Sequence, residues 1–200
     1  READDLGDGE LIDRIKDSAK QKGTGRWASI EALKQGVDIS MITSACTARI
    51  MSNHLDEREK AWQLIHSPAV GLSPDKESFA AMVREALYTG KIIAYAQGFS
   101  LMQDASRLYG WNLDLGKIAS IFRAGCIIQA VFLNDITHAF EAEPKPENLI
   151  FDGFFLSRIN EHQDSLRQAV STGVMNGLPI PALCNAVSYL DEFRAKAAGA

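Results

Sequence analysis

The sequence predicts an all-α fold, a multi-helix bundle-like domain with a long central helix, on three observations. Apolar residues recur every three or four positions through most of the chain, and no stretch gives a convincing strand signal. The connections are short, punctuated by Gly and Pro, and free of low-complexity linkers. These features together predict one helical domain over residues 1–200.

Leu11, Ile12, Ile15 and Ala19 fall at helical spacing, which predicts a first helix stopped by the glycines of Lys22-Gly23-Thr24-Gly25. A second helix reads from Ser29 to Gln35 and ends at Gly36. Ser40 is placed to cap a third, in which Ile42, Ala45, Ala48, Arg49 and Ser52 share adjoining faces, so Arg49 rides on a helix. Asp56 to His66 reads as a further helix, closed by Ser67-Pro68 and a loop with Gly71 and Pro74. Asp75 to Tyr109 is one uninterrupted helical pattern, about 50 Å long at about 1.5 Å per residue. Along it Ala86, Gly90, Ala94 and Gly98 stand four residues apart, a bare stripe that admits another helix. Glycine inside a helix costs roughly 1 kcal/mol against alanine, so two on one stripe point to close packing.

Gly110 ends that helix, and Asp114 is placed to cap the next, through Ile121 and Phe122. Gly125 precedes a predicted helix from Ile127 to Phe140, and Pro144 and Pro146 mark a loop. Phe154 to Val174 reads as another long helix, ended by Asn176-Gly177 and Pro179. Pro181 opens a last one through Phe193.

A net charge of −5 and a pI near 5.4 offer no broad basic field, so no nucleic-acid partner is expected. No uncharged apolar stretch of roughly 18 residues occurs and no signal peptide is seen, so no membrane span is expected. Cys46, Cys126 and Cys184 are odd in number and far apart, which fits a reducing cytoplasm and helix packing better than disulfides or catalysis. His54, His66, His138 and His162 lack ligand spacing, and no metal is assigned. The interleaved charges of Asp56-Glu57-Arg58-Glu59-Lys60 read as a solvated helix face. The start at Arg1, close to a helical pattern, suggests a piece of a longer polypeptide.

Gly23-Thr24-Gly25-Arg26-Trp27-Ala28 satisfies a loose G-x-G-x-x-A pattern, but a dinucleotide fingerprint needs a preceding strand and a βαβ unit, and neither is predicted here. A P-loop is excluded, because no Lys-Ser or Lys-Thr follows the glycines. Two readings remain: a solvated turn, or an anion-binding loop in which small residues let amides approach a phosphate or carboxylate while Lys22 and Arg26 supply charge and Thr24 a hydroxyl. Arg49, among Ala45, Cys46, Ala48 and Ile50, reads either as a buried anion clamp or as an ion-paired or snorkelling core-edge residue.

The segment Ile15-Lys16-Asp17-Ser18-Ala19-Lys20-Gln21-Lys22-Gly23-Thr24-Gly25-Arg26-Trp27 resembles the signature segment of the 6-phosphogluconate dehydrogenases. So, in order, do Ala45-Cys46-Thr47-Ala48-Arg49, Ala94-Tyr95-Ala96-Gln97-Gly98-Phe99, Ile121-Phe122-Arg123-Ala124-Gly125-Cys126-Ile127-Ile128 and Asn176-Gly177-Leu178-Pro179-Ile180-Pro181. Lys20, Arg26 and Cys46-Thr47 depart from the family's usual residues. The resemblance spans practically the whole chain and implies the helical C-terminal domain of an enzyme that decarboxylates 6-phosphogluconate oxidatively to ribulose 5-phosphate with NADP in the pentose phosphate pathway. It implies that Lys22 and Arg49 bind substrate around its phosphate and that the enzyme is a homodimer. It also places the general base Lys and general acid Glu upstream of Arg1, and an Arg- and His-bearing tail beyond Ala200. No catalytic residue is therefore expected in this chain, and NADP is expected to be bound mainly by a nucleotide-binding domain preceding it. A related β-hydroxyacid dehydrogenase and a non-catalytic helical interaction module are the alternatives.

Overall fold

The computed structural model describes residues 3–5, 7–67, 71 and 75–197. Among them eight α-helices follow in order: α1 Thr24–Gln35, α2 Ser40–Ser52, α3 Leu55–Leu64, α4 Lys76–Tyr109, α5 Leu115–Ile121, α6 Leu133–Glu141, α7 Gly153–Met175 and α8 Pro181–Arg194. One-turn 3-10 segments lie at Leu11–Arg14 and Leu149–Phe151. The β pairing among the described residues is a single bridge between Ala3 and Glu10. The all-α expectation and the long central helix both hold.

Helix α4 is the axis on which the others pack, with α7 along its length and α1, α2, α5 and α8 against other faces. Its start is fixed by Asp75, whose carboxylate accepts from the amides of Glu77 and Ser78 (2.9 and 3.1 Å), and its end by Gly110 in the left-handed region at φ 66°. Ile92, Ile93 and Phe99 of α4 are buried with Phe132, Phe155 and Leu166. Phe132 meets Tyr88, Tyr95 and Phe155 edge-on at 5.5 to 5.8 Å, and Phe99 stacks on Phe140 at 5.1 Å. Each such buried side chain contributes about 1.5–3 kcal/mol of transfer free energy.

The bare stripe on α4 is used as expected, though it is side chains of the neighbours that fill it. A Cβ on Gly90 would stand 2.8 Å from Leu183 Cδ2 and 3.7 Å from Met41 Cε, and one on Gly98 would stand 3.8 Å from Ile42 Cδ1. Helices α2 and α8 thus reach α4 along this stripe. Next to it Gln97 is fully buried, and its Oε1 accepts from the Met41 amide at 3.1 Å. Its Nε2 donates to Ser40 Oγ at 3.0 Å and Asp38 Oδ1 at 3.2 Å. Helix α2 is therefore capped from α4, not by Ser40, which is its first residue. Asp38 Oδ1 accepts from the Ser40 amide at 2.6 Å.

Three other expectations are corrected. Leu11 to Ala19 is not a helix beyond the turn Leu11–Arg14, because the groups that would close helical bonds around Ala19 are taken by side chains of α2. Helix α1 starts at Thr24, five residues before Ser29, so the glycines open a helix instead of closing one. Helix α6 starts only at Leu133: the carbonyls of Ile128 and Gln129 accept from Tyr95 Oη and Lys91 Nζ on α4, which holds residues 123–132 in turns. The predicted turn residues Pro68 and Pro74 lie outside the described residues.

Arg167 of α7 donates two hydrogen bonds to Asp191 of α8 (2.9 and 2.6 Å), and Arg194 Nε adds a third at 3.0 Å. First Arg167 and then Arg194 hold the Asp191 carboxyl well below the usual carboxylate range. A depressed pKa stabilises the fold above the unfolded-state value of about 3.9, and that contribution is lost as pH falls toward the folded value. Asp191→Asn is expected to lower the urea midpoint at pH 7 and to lower it less at pH 3; an equal deficit at both would show that the ion pair contributes nothing. Gln97→Leu leaves the Met41 amide unbonded in the core and is expected to cost about 2–4 kcal/mol in urea unfolding, against less than about 1 kcal/mol if the amide were solvated.

Candidate anion-binding site

The C-terminal half of α2, with its C-cap Asn53, presents a row of side chains that holds segment 17–21. Ser52 Oγ accepts from the Ala19 amide at 3.0 Å, and Asn53 Nδ2 donates to the Ala19 carbonyl at 2.9 Å. Arg49 donates to the Lys20 carbonyl at 3.1 Å, and Cys46 Sγ lies 3.2 Å from Gln21 Oε1. From α3, Arg58 pairs with the Asp17 carboxylate. Segment 17–21 is thereby fixed without secondary structure of its own, because α2 and α3 supply donors and acceptors that a strand partner would supply.

Lys22 leaves this segment exposed, and the chain then turns at Gly23. Gly23 sits at φ 101°, in the left-handed region, and a Cβ there would stand 3.4 Å from the Trp27 ring. It is the N-cap of α1 and offers no side chain, so the first-turn amides of Thr24, Gly25 and Arg26 carry no side-chain cap. Gly25 lets α1 approach α2 closely: its Cβ would meet Cys46 Sγ at 3.4 Å. Ser29 Oγ then closes the junction, 2.9 Å from the Gly25 carbonyl and 3.0 Å from Thr43 Oγ1.

Arg49 thus bonds the segment that leads into Lys22, two residues before it. Both are exposed, as are Lys20 and Arg26, and among the described residues none of the four has a carboxylate within 4.0 Å. Arg49 is therefore not buried, and it has no ion-pair partner among the described residues. It stands on the open face of α2, with one N–H engaged by the Lys20 carbonyl. Uncompensated cations beside the positive end of a helix form an anion-attracting surface, in which Lys supplies a point charge and the guanidinium a two-pronged donor. The groove at the opposite end of α1, about 420 Å³, is lined mainly by apolar groups such as Ala32, Val37 and Ile39, with Asp38 as its only charge, and does not suit an anion.

Sequence reasoning did not find Gln21, Ser52, Asn53 and Arg58 as the residues that position this surface. Ser52-Asn53 carried a signal, a polar pair at a helix end, but that signal reads as a helix stop. Among the described residues no group of three potential metal ligands is found, and the cysteines are unpaired.

Residues 1–200 match the family described as "6-phosphogluconate dehydrogenase, C-terminal domain". The decarboxylating 6-phosphogluconate dehydrogenase of Lactococcus lactis subsp. lactis (strain IL1403) is 44% identical over 193 residues, covering 96% of this chain and 41% of that protein. The Mus musculus protein of the same name is 46% identical over 186 residues, covering 92% and 38%. The solved structure of Plasmodium falciparum 6-phosphogluconate dehydrogenase, studied in its apo form and in complex with NADP+ and with 6-phosphogluconate, superposes with a TM-score of 0.90 at 35% identity, over 98% of this chain and 42% of that one. The chain spans about two fifths of the length of these relatives.

Ser52→Ala removes the acceptor of the Ala19 amide. Hydrogen exchange at Ala19 is expected to speed up about fivefold, corresponding to about 1 kcal/mol, with the Ile92 amide of α4 unaffected. An unchanged Ala19 rate would mean that α2 does not hold the segment.

Proposed function

The chain belongs to the 6-phosphogluconate dehydrogenase family, matching its C-terminal domain, and from that premise we propose that Lys22 and Arg49 grip the phosphate of 6-phosphogluconate. The parent enzyme oxidatively decarboxylates this substrate to ribulose 5-phosphate with NADP in the pentose phosphate pathway. What supports this reading is that Lys22 directly precedes the N-cap Gly23 of α1, which carries no side-chain cap, while Arg49 bonds the Lys20 carbonyl two residues upstream, and neither cation has a carboxylate within 4.0 Å among the described residues. A phosphate dianion satisfies all three at once: the ammonium, the free guanidinium N–H groups and the first-turn amides.

The reaction takes a hydride from the substrate and a proton from its 3-hydroxyl, releases carbon dioxide, and returns a proton to the resulting enediol. NADP, when bound, accepts the hydride. Nothing in the described residues forms a strand–turn–helix unit for a dinucleotide: Gly23 and Gly25 open a helix, but the segment before them is not a strand. In this reading the chain supplies substrate binding, and the nucleotide site and the acid and base belong to other parts of the enzyme. Holding the phosphate away from the reacting carbons turns binding energy into orientation.

The same reading makes this a substrate-binding and dimerisation domain of a cytoplasmic homodimer. Exposed Leu33 on α1 and Trp62 and Leu64 on α3 support a covering partner surface, and three unpaired cysteines suit a reducing compartment. Among the described residues no helix is long and apolar enough to cross a membrane.

In the full-length enzyme, Lys22→Ala and Arg49→Ala are each expected to raise KM for 6-phosphogluconate roughly ten- to a hundredfold, the range for a charged hydrogen bond of about 1.5–3 kcal/mol. Any turnover of unphosphorylated gluconate is expected to be the same in the variants as in the unsubstituted enzyme. Equal turnover of phosphorylated and unphosphorylated gluconate by the unsubstituted enzyme would sink the phosphate role and favour a related β-hydroxyacid dehydrogenase. Unchanged 6-phosphogluconate kinetics in both variants would remove the two residues from the site.

A further inference from the structure

A second set of cations surrounds a cleft of about 520 Å³ between α4 and the turns of residues 123–132. Arg84 and Lys91 stand seven residues apart on one face of α4, with Leu87 and Tyr88 between them, and Arg123 faces them from the end of α5. Three cations and no carboxylate line the cleft. By contrast Arg58, Lys117, Arg158, Arg167 and Arg194 each lie within 4.0 Å of a carboxylate.

The three are held by neutral groups or by none. Lys91 Nζ donates to the Gln129 carbonyl at 2.9 Å. Arg123 donates to the Ser120 carbonyl at 3.2 Å and to Asn134 Oδ1 at 2.8 Å. Arg84 has no ion-pair partner among the described residues. Its neighbour Glu85 is engaged elsewhere, accepting from Ser165 Oγ at 2.5 Å. Two of the charges are therefore oriented without being neutralised, which is the arrangement that favours an incoming anion.

The cleft also has an apolar side. Phe132 is buried beneath it, with Tyr88 edge-on to it at 5.5 Å, while Leu87 and Val131 at the rim are 56% and 86% exposed. The volume lies within the roughly 300–1,000 Å³ typical of small-molecule sites. The geometry points to a second anion site, built by Arg84, Lys91 and Arg123, that takes a small organic phosphate whose apolar portion covers Leu87 and Val131. It shares no residue with the Lys22–Arg49 surface and does not depend on the function proposed for that surface.

The test uses calorimetry on the chain carrying Lys22→Ala and Arg49→Ala, with phenyl phosphate and inorganic phosphate as probes at constant ionic strength. Phenyl phosphate is expected to bind with one site and more tightly than inorganic phosphate. Adding Arg84→Ala or Arg123→Gln should weaken it on the order of tenfold, as expected for loss of one charged hydrogen bond. Arg123→Lys, which keeps the charge, should retain most of the affinity, and circular dichroism reports whether each variant is folded. No binding in the Lys22→Ala/Arg49→Ala chain overturns the inference, as does equal affinity for the two probes. So does phenyl phosphate binding that survives Arg84→Ala and Arg123→Gln together.

Discussion

Gln97 stands fully buried on α4, and its amide closes the N-terminus of α2 through the Met41 N–H, Ser40 Oγ and Asp38 Oδ1. A buried amide left without partners costs several times what one hydrogen bond contributes, so α2 has one favourable seat on α4. The side chains of Met41 and Ile42 that reach Gly90 and Gly98 fix the same seat by packing. The α2 side of the proposed anion surface follows from it. Arg49 lies nine residues along α2 from Ser40, about 13 Å at about 1.5 Å per residue, and α2 also carries the Ser52 side chain that holds Ala19.

The way the helices are capped separates what was legible from what was not. Helices α4 and α5 are capped by Asp75 and Asp114, and both starts were readable because the acceptor lies within three residues of the amides it serves. Asp152 does the same for α7. At α2 the Ser40 amide is served by Asp38, but the Met41 amide is served by Gln97, 56 residues away, whereas sequence proximity offered Ser40 as the cap. The same contrast explains Leu11 to Ala19. Its apolar spacing is helical, but spacing registers only what a segment could bury, and Leu11, Ile12 and Ile15 are exposed here. The backbone partners that α2 offers to Ala19 and Lys20 decided the conformation, and local periodicity carries no trace of them.

Residues 127–132 failed for a related reason. Ile127, Ile128 and Val131 supply a helical pattern, yet the carbonyls of Ile128 and Gln129 are captured by Tyr95 and Lys91 across the bundle. By contrast α4 and α7 were legible almost to the residue, because a long amphipathic run with an Asp at its start and a Gly or Asn after its end is over-determined locally. Lys22 and Arg49 themselves emerged from the motif register and not from composition, since a net charge of −5 gives no hint of which cations stand without a carboxylate partner.

The proposed anion surface is tied down where a loop without secondary structure would usually be free. Segment 17–21 has no secondary structure, but its polar groups are bonded to α2 and α3 at Asp17, Ala19, Lys20 and Gln21. A charged loop free to move would still bind phosphate, since attraction alone needs no fixed geometry. Rate enhancement through a remote phosphate does need it: binding energy speeds the chemical step only if the handle is held still relative to the reacting carbons. The hydrogen bonds from Ser52, Asn53 and Arg49 are therefore as much a part of the proposed function as the two cations, and they explain why a glycine-flanked turn is anchored at almost every residue on one side.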